Sequence, residues 1–166
     1  VEHEHCDACG FDGADYDDES LLESLRALGP RWQVLLEAAG PELRVRPEVW
    51  SAIEYAAHSR DITALHVYGV EQALTLNEPV FPQIADDLVD SAAAAYADAD
   101  PDDVGAALTT QTSLLANLAD DAASAAWSRG LTIGDNRSDV RRLLEHALHD
   151  SLHHLGDVER GLSRLR

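Results

Sequence analysis

The chain has 166 residues and a formal net charge of −19, from 31 acidic residues against 12 basic ones, all of them arginine. The lack of lysine excludes Schiff-base chemistry and a P-loop lysine, and the negative field disfavours nucleic-acid backbones and anionic membrane surfaces as partners. No apolar run approaches the ~20 residues that span a bilayer, so the composition predicts one soluble, cytoplasmic domain, long enough to build a core without disulfide staples.

Residues 1–18 read as an acidic, Gly- and Asp-rich leader that holds both cysteines, in His3-Glu4-His5-Cys6-Asp7-Ala8-Cys9-Gly10. Helical spacing starts at about Glu19 and runs to Ala39 through Leu21, Leu25, Leu28, Trp32 and Leu35, with Asp18 or Ser20 as the cap. Gly29-Pro30 predicts a kink or break within it. Ser51 with Glu54 reads as a capping box that opens a second helix, continuing through Ile53, Ala57, Ile62, Leu65, Val70, Ala73 and Leu76 until Pro79 and Pro82. A short helix or irregular stretch covers about 84–97. Asp100-Pro101 opens a third long helix, to about Trp127. Leu131 to Asn136 is a connector, briefly extended at Thr132-Ile133-Gly134, and Ser138 caps a last helix through Val140, Leu143, Ala147, His154, Val158, Leu162 and Leu165. No convincing strand alternation appears. The expected architecture is all-α: a leader over 1–18 and a four-helix bundle over 19–166.

The chemistry concentrates in His146-Ala147-Leu148-His149-Asp150-Ser151-Leu152-His153-His154, which holds four of the eight histidines. Positions four apart share a helix face, giving two chelating pairs, His149/His153 and Asp150/His154. The apolar stripe of Val140, Leu144, Ala147, Ser151, Val158 and Leu162 turns the second pair towards the bundle and the first away from it. A bundle-facing pair needs a third ligand from another helix, and His58 is the candidate. Imidazole and carboxylate suit Zn²⁺, Ni²⁺ or Fe²⁺, and three protein ligands leave a position for water or substrate. Asp61, one turn on, is placed to orient an imidazole. A hydrogen-bonded core histidine, with Asp150 paired to an arginine, is the rival reading.

The motifs Trp50-Ser51-x-x-Glu54-Tyr55-x-x-His58-x-Arg60-Asp61 and Leu148-His149-Asp150-x-x-His153-His154-Leu155-x-Asp157-Val158 together resemble the DinB-like metal-binding four-helix-bundle superfamily. Within it the chain looks like an actinobacterial-type branch with an N-terminal Cys-x-x-Cys-Gly-Phe, and the resemblance spans Cys6 to about Glu159. It implies an up-down-down-up bundle, frequent dimers, and a divalent metal held by a His of the second helix and an i, i+4 pair of the last. The His-x-Gly-x-Ile ending of the family's last motif falls on His154-Leu155-Gly156-Asp157-Val158, which places the pair at Asp150 and His154 with His58 third. Asp150 departs from the His or Glu of many relatives, which leaves the metal's identity open. The superfamily includes isomerases and S-transferases dependent on mycothiol or bacillithiol. The implied activity is therefore thiol transfer, with a small-molecule thiol and an electrophile as partners. The alternative is a non-catalytic, metal-stabilised scaffold or stress-response binding protein.

Cys6 and Cys9 are at zinc-knuckle spacing, but a structural zinc needs four ligands and the chain has no other cysteine. His149 and His153 would complete a Cys₂His₂ set, with His3, His5 and His146 as substitutes. A redox dithiol and a disordered tail are the rivals. Trp32, Trp50 and Trp127 read as core, His66 as bundle lining or surface, and Arg60 as a salt-bridge partner or an anion binder near the metal.

Overall fold

The computed structural model describes residues 2–166. Four long helices, α1 (Asp18–Ala39), α2 (Ala52–Thr75), α4 (Pro101–Asp120) and α5 (Val140–Leu165), make the bundle, and a short α3 (Asp86–Ala93) lies between α2 and α4. Each long helix begins on a side chain that satisfies its orphan N–H groups. Asp17 accepts from the Ser20 N–H (2.8 Å), Glu54 from the Ser51 N–H (2.9 Å), Asp100 from the Asp102 and Asp103 N–H groups, and Asp139 from the Arg142 N–H (2.8 Å). The caps of α1 and α5 thus differ from the expected residues. Ser138 is not free to cap, because it pairs with Leu131 in a β-ladder.

Contacts along the helices set their directions. Arg26 reaches Asp120 (2.7 Å) while Gln33 packs on Gly105, so α1 and α4 are antiparallel. His58 faces Asp150 and Gly69 meets Leu143, so α2 and α5 are antiparallel. Arg141 reaches Asp18 (2.9 Å) and Trp32 donates from Nε1 to Ser151 Oγ (2.7 Å), so α1 and α5 are parallel. The result is up-down-down-up. Its core is a column of fully buried side chains: Leu21, Leu25, Leu28 and Trp32 from α1, Ile53 and Val70 from α2, Leu108 and Leu115 from α4, and Leu144, Leu148 and Leu155 from α5. Leu65, expected on the apolar stripe of α2, is exposed; the buried face runs through Ala56, Ala57, Thr63, Val70 and Ala73 instead.

The predicted break at Gly29-Pro30 does not occur, and α1 continues through both residues. Pro30 is exposed, so water can replace the one backbone bond that its ring removes. Gly29 faces inward, where a Cβ would stand 2.7 Å from Thr109 Oγ1 and closer still to the Thr109 backbone. The glycine therefore permits the close approach of α1 and α4. Gly29→Ala should lower stability by about 1–3 kcal/mol through overpacking, read from urea denaturation; an unchanged midpoint would show that the two helices can part without cost.

Two further expectations change. The helix from Pro101 stops at Asp120 rather than near Trp127, because the chain turns back and Trp127 donates from Nε1 to the Ala119 carbonyl (3.0 Å), satisfying one of the open carbonyls at the helix end. The connector is more than briefly extended: β4 (Gly130–Ile133) and β5 (Asn136–Asp139) form a hairpin, and β3 (Val80–Phe81) pairs parallel to β4. Arg129 joins this sheet to the bundle by donating to the carbonyls of Ala73 (2.7 Å) and Leu76 (2.5 Å) at the end of α2. Residues 2–18 of the leader fold against the bundle as well. Its β1 (His5–Cys6) and β2 (Phe11–Asp12) make a small antiparallel hairpin.

Candidate metal centre

The antiparallel contact of α2 and α5 brings His58, Asp150 and His154 together, with one donor atom from each within 4.8 Å of the others. His58 Nε2 lies 3.7 Å and His154 Nε2 lies 3.5 Å from the same oxygen, Asp150 Oδ1. These separations are too long for hydrogen bonds. They match the spacing of ligands around one ion, because metal–ligand bonds of about 2.0–2.2 Å at tetrahedral angles put neighbouring donors roughly 3.3–3.6 Å apart. The donor set of two imidazoles and a carboxylate thus fits a divalent cation. All three side chains are 17–18% exposed, so the centre opens to solvent at the edge of the bundle.

The electrostatics favour positive charge here. Burial pushes the Asp150 carboxyl up, but the facing imidazoles of His154 and His58 outweigh it and hold the group well below the usual carboxylate range. Burial pushes His154 down, yet Asp150 and Asp157 outweigh it and raise the imidazole. His154 donates from Nδ1 to Asp157 Oδ2 (3.0 Å), and Arg160 holds the other oxygen of Asp157 (2.5 Å). That arrangement sets the tautomer of His154 and leaves Nε2 facing Asp150.

The orienting carboxylate is therefore Asp157, not Asp61. Asp61 is held by Arg60 (2.7 Å), which fulfils the salt-bridge reading of Arg60, and it also faces Tyr96. Burial first, then Asp61, pushes the Tyr96 phenol up to about 12. Tyr96 stands edge-on to His58 (ring centroids 6.3 Å apart), Trp50 packs on His58 (5.2 Å) and Tyr55 on His154 (5.1 Å). Trp50, read as core, is half-buried and walls the centre, whereas Trp32 and Trp127 are core residues as expected. Tyr55 could have been found from its place one turn before His58; Tyr96 could not, because it arrives from the turn after α3. His66 lies off this centre, half-buried against the His146 ring (5.2 Å), and burial takes its imidazole down to about 4.

On the other side of α5 the leader covers the second histidine pair. The Cys6 and Cys9 sulfurs and one nitrogen each of His149 and His153 lie within 4.8 Å of one another, and the two cysteines are not bridged. Gly10, at φ +75°, donates to the Cys6 carbonyl (2.8 Å) and closes the turn between the cysteines. The Cys9 backbone N–H holds the Cys6 thiol down, whereas burial pushes the Cys9 thiol up. The substitute ligands lie elsewhere: His3 donates to Glu145 (2.7 Å) and His5 to Asp7 (2.9 Å), and His146 turns to Glu4 (3.2 Å). Glu4 is buried and also meets His149 Nδ1 (2.8 Å) and Arg142 (2.7 Å).

No protein-family model matches the chain, and no curated protein matches it. Among solved structures it is similar to YfiT from Bacillus subtilis, described as a probable metal-dependent hydrolase with an unusual four-helix bundle topology. The TM-score is 0.80 over 89% of this chain and 87% of that chain, at 16% sequence identity. A likeness at that identity speaks to the fold. The four-helix bundle that the DinB-like resemblance implies is the fold that this chain shares with YfiT.

Proposed function

We propose that the chain is a metal-dependent enzyme that joins a low-molecular-weight thiol to an electrophile at the His58–Asp150–His154 centre, with zinc as the cation. The observation that carries this reading is the convergence of both imidazoles on Asp150 Oδ1 at 3.5 and 3.7 Å, with all three side chains partly exposed to solvent. A closed structural site takes four protein ligands, and three donors with solvent access are the catalytic pattern. A divalent cation supplies acidity there, lowering the pKa of a thiol or water that reaches it. The protein's own part is to hold donors and substrate. Asp157 keeps His154 Nε2 aimed inward, and Trp50, Tyr55 and Tyr96 give an apolar wall against which a substrate can shed water. Thiol transfer is the activity that the motif resemblance implies, and the description of YfiT supports hydrolysis as the second reading.

The test is a panel of thiols and electrophiles, and of esters and amides, assayed before and after chelation and after readdition of Zn²⁺, Ni²⁺ or Fe²⁺. Chelator-sensitive thiol consumption is expected. Chelator-sensitive hydrolysis without thiol consumption would transfer the site to the second reading, and turnover indifferent to chelation would remove both. Asp157→Asn should weaken metal binding at this centre about 10–100-fold, measured by competition with a chromogenic chelator. Equal affinity in the variant would show that Asp157 does not orient His154.

A further inference from the structure

We propose that Cys6, Cys9, His149 and His153 hold one zinc ion in a closed tetrahedral site that fastens the leader hairpin onto α5. The site is separate from the open centre and does not rest on the function proposed for it. The two share a helix on adjoining faces, with the His149/His153 pair about 100° around it from the Asp150/His154 pair. They touch at their edges: the His153 and His154 rings are 5.5 Å apart, and Asp157 Oδ2 lies 3.0 Å from His154 Nδ1 and 3.7 Å from His153 Nε2.

Three independent observations lead here. The first is proximity across sequence: four donor atoms, two of them from a segment more than 130 residues away, lie within 4.8 Å of one another. Zinc bonds of about 2.3 Å to sulfur and 2.0–2.1 Å to nitrogen put neighbouring donors roughly 3.3–3.8 Å apart, so the four donors already stand within about 1.5 Å of that spacing. The second is an unmet need. His149 Nε2 and His153 Nδ1 are both buried and have no hydrogen-bond partner among the described residues. Leaving such an atom unsatisfied is costly, and each belongs to a histidine that has a nitrogen within 4.8 Å of both sulfurs. The third is the support behind the donors. Glu4 accepts from His149 Nδ1 (2.8 Å), which leaves Nε2 as the deprotonated lone pair that a metal requires. The Phe11 ring stacks on His149 (centroids 5.2 Å apart) and fixes its plane.

The donor set names the ion. Two thiolates and two imidazoles in a tetrahedron select zinc over the oxygen-seeking cations, and four protein ligands leave no position for substrate. The role is therefore structural. The hairpin's own strands are two residues long and it is tied to α5 through Glu4 and Glu145; the ion adds a second fastening at the turn between the cysteines, on the helix that carries two residues of the open centre.

The test uses the full chain, expressed without a polyhistidine tag, and a second readout besides zinc content. Zinc analysis should give one equivalent more in the unmodified chain than in Cys6→Ser/Cys9→Ser, whether or not the open centre is loaded. Co²⁺ substitution should produce the near-ultraviolet thiolate-to-cobalt band in the unmodified chain and in His58→Ala/His154→Ala, and none in the cysteine variant. A band that survives in His58→Ala/His154→Ala separates this site from the open centre. Equal zinc content in the chain and its cysteine variant, or cobalt loading without the thiolate band, overturns the proposal. Should the cysteine variant fail to fold, thiol reactivity in the unmodified chain decides. Both thiols should resist a chromogenic disulfide with zinc present and react after chelation; free reaction at saturating zinc overturns the site.

Discussion

Glu54→Gln is expected to destabilise the protein by about 3 kcal/mol near neutral pH and by less than half of that near pH 3. Glu54 is 1% exposed, yet its carboxylate accepts from the Ser51 N–H (2.9 Å), the Ser51 hydroxyl (2.7 Å) and Arg46 Nε (2.9 Å), and pairs with a second Arg46 nitrogen. Burial pushes its pKa up, but Arg46 and Ser51 outweigh that and bring it down to about 2 from 4.5. The folded-state pKa lies below the unfolded one, so the stabilisation is complete above about pH 5 and is lost as the pH falls through 4.5 towards 2. Glutamine keeps the shape and removes the charge. Urea titrations of both chains at the two pH values check this, because the acid response of every other carboxylate cancels in the difference. A gap that stays constant from neutral to acid pH would show that the charge of Glu54 is not what stabilises the fold. The same substitution loosens the start of α2, one turn before His58, so metal affinity at the open centre should fall with it.

Glu145→Ala is expected to cost about 3–5 kcal/mol, the range for breaking a buried ion pair on one side. The Glu145 carboxylate is fully buried and accepts from Arg141 Nε (2.5 Å), the Glu4 N–H (2.8 Å) and His3 Nδ1 (2.7 Å). Arg141 in turn donates to the carbonyls of Tyr16 (2.5 Å) and Gly13 (3.3 Å). Two paired side chains of α5, Glu145 and Arg141, thus join both ends of the leader to the bundle. Alanine leaves a mostly buried guanidinium with, among the described residues, only the more exposed Asp18 as its charge partner. Denaturation should show the loss, and amide exchange should show 2–16 opening while α2 and α4 stay protected. A loss under about 1 kcal/mol with the leader still protected would mean that the hairpin is held by something other than Glu145.

The open centre was legible because helices turn by a fixed angle. His58, Asp150 and His154 could be assigned to faces from the apolar residues around them, and the stripe from Val140 to Leu162 is buried as read. The proximity of Cys6 and Cys9 to His149 and His153 was legible as one choice among several, since two thiolates call for two further donors and His3, His5 and His146 were the other candidates. Asp157 was missed because three helical positions offer the same carboxylate many partners, and a rotamer chose His154. Tyr96 was missed because no periodicity carries a residue in the turn after α3 to a site on α2. The sheet was missed for a related reason. Its strands have two to four residues, and β3 meets β4 across fifty positions, which no local alternation can announce. Pro30 misled because its cost depends on which side of α1 it faces.

The leader's attachments to α5 join residues 141 and 142 positions apart, Glu4 and His3 to Glu145. Cys6 and Cys9 are made well before His149 and His153, so the place proposed to bind them is complete only once α5 exists. Until then the hairpin lacks the helix that it lies on, and contacts this distant in sequence are slow to form. Docking of α5 is thus the event that supplies the leader with both Glu145 and the two histidines, while Cys9 stays exposed in the folded chain.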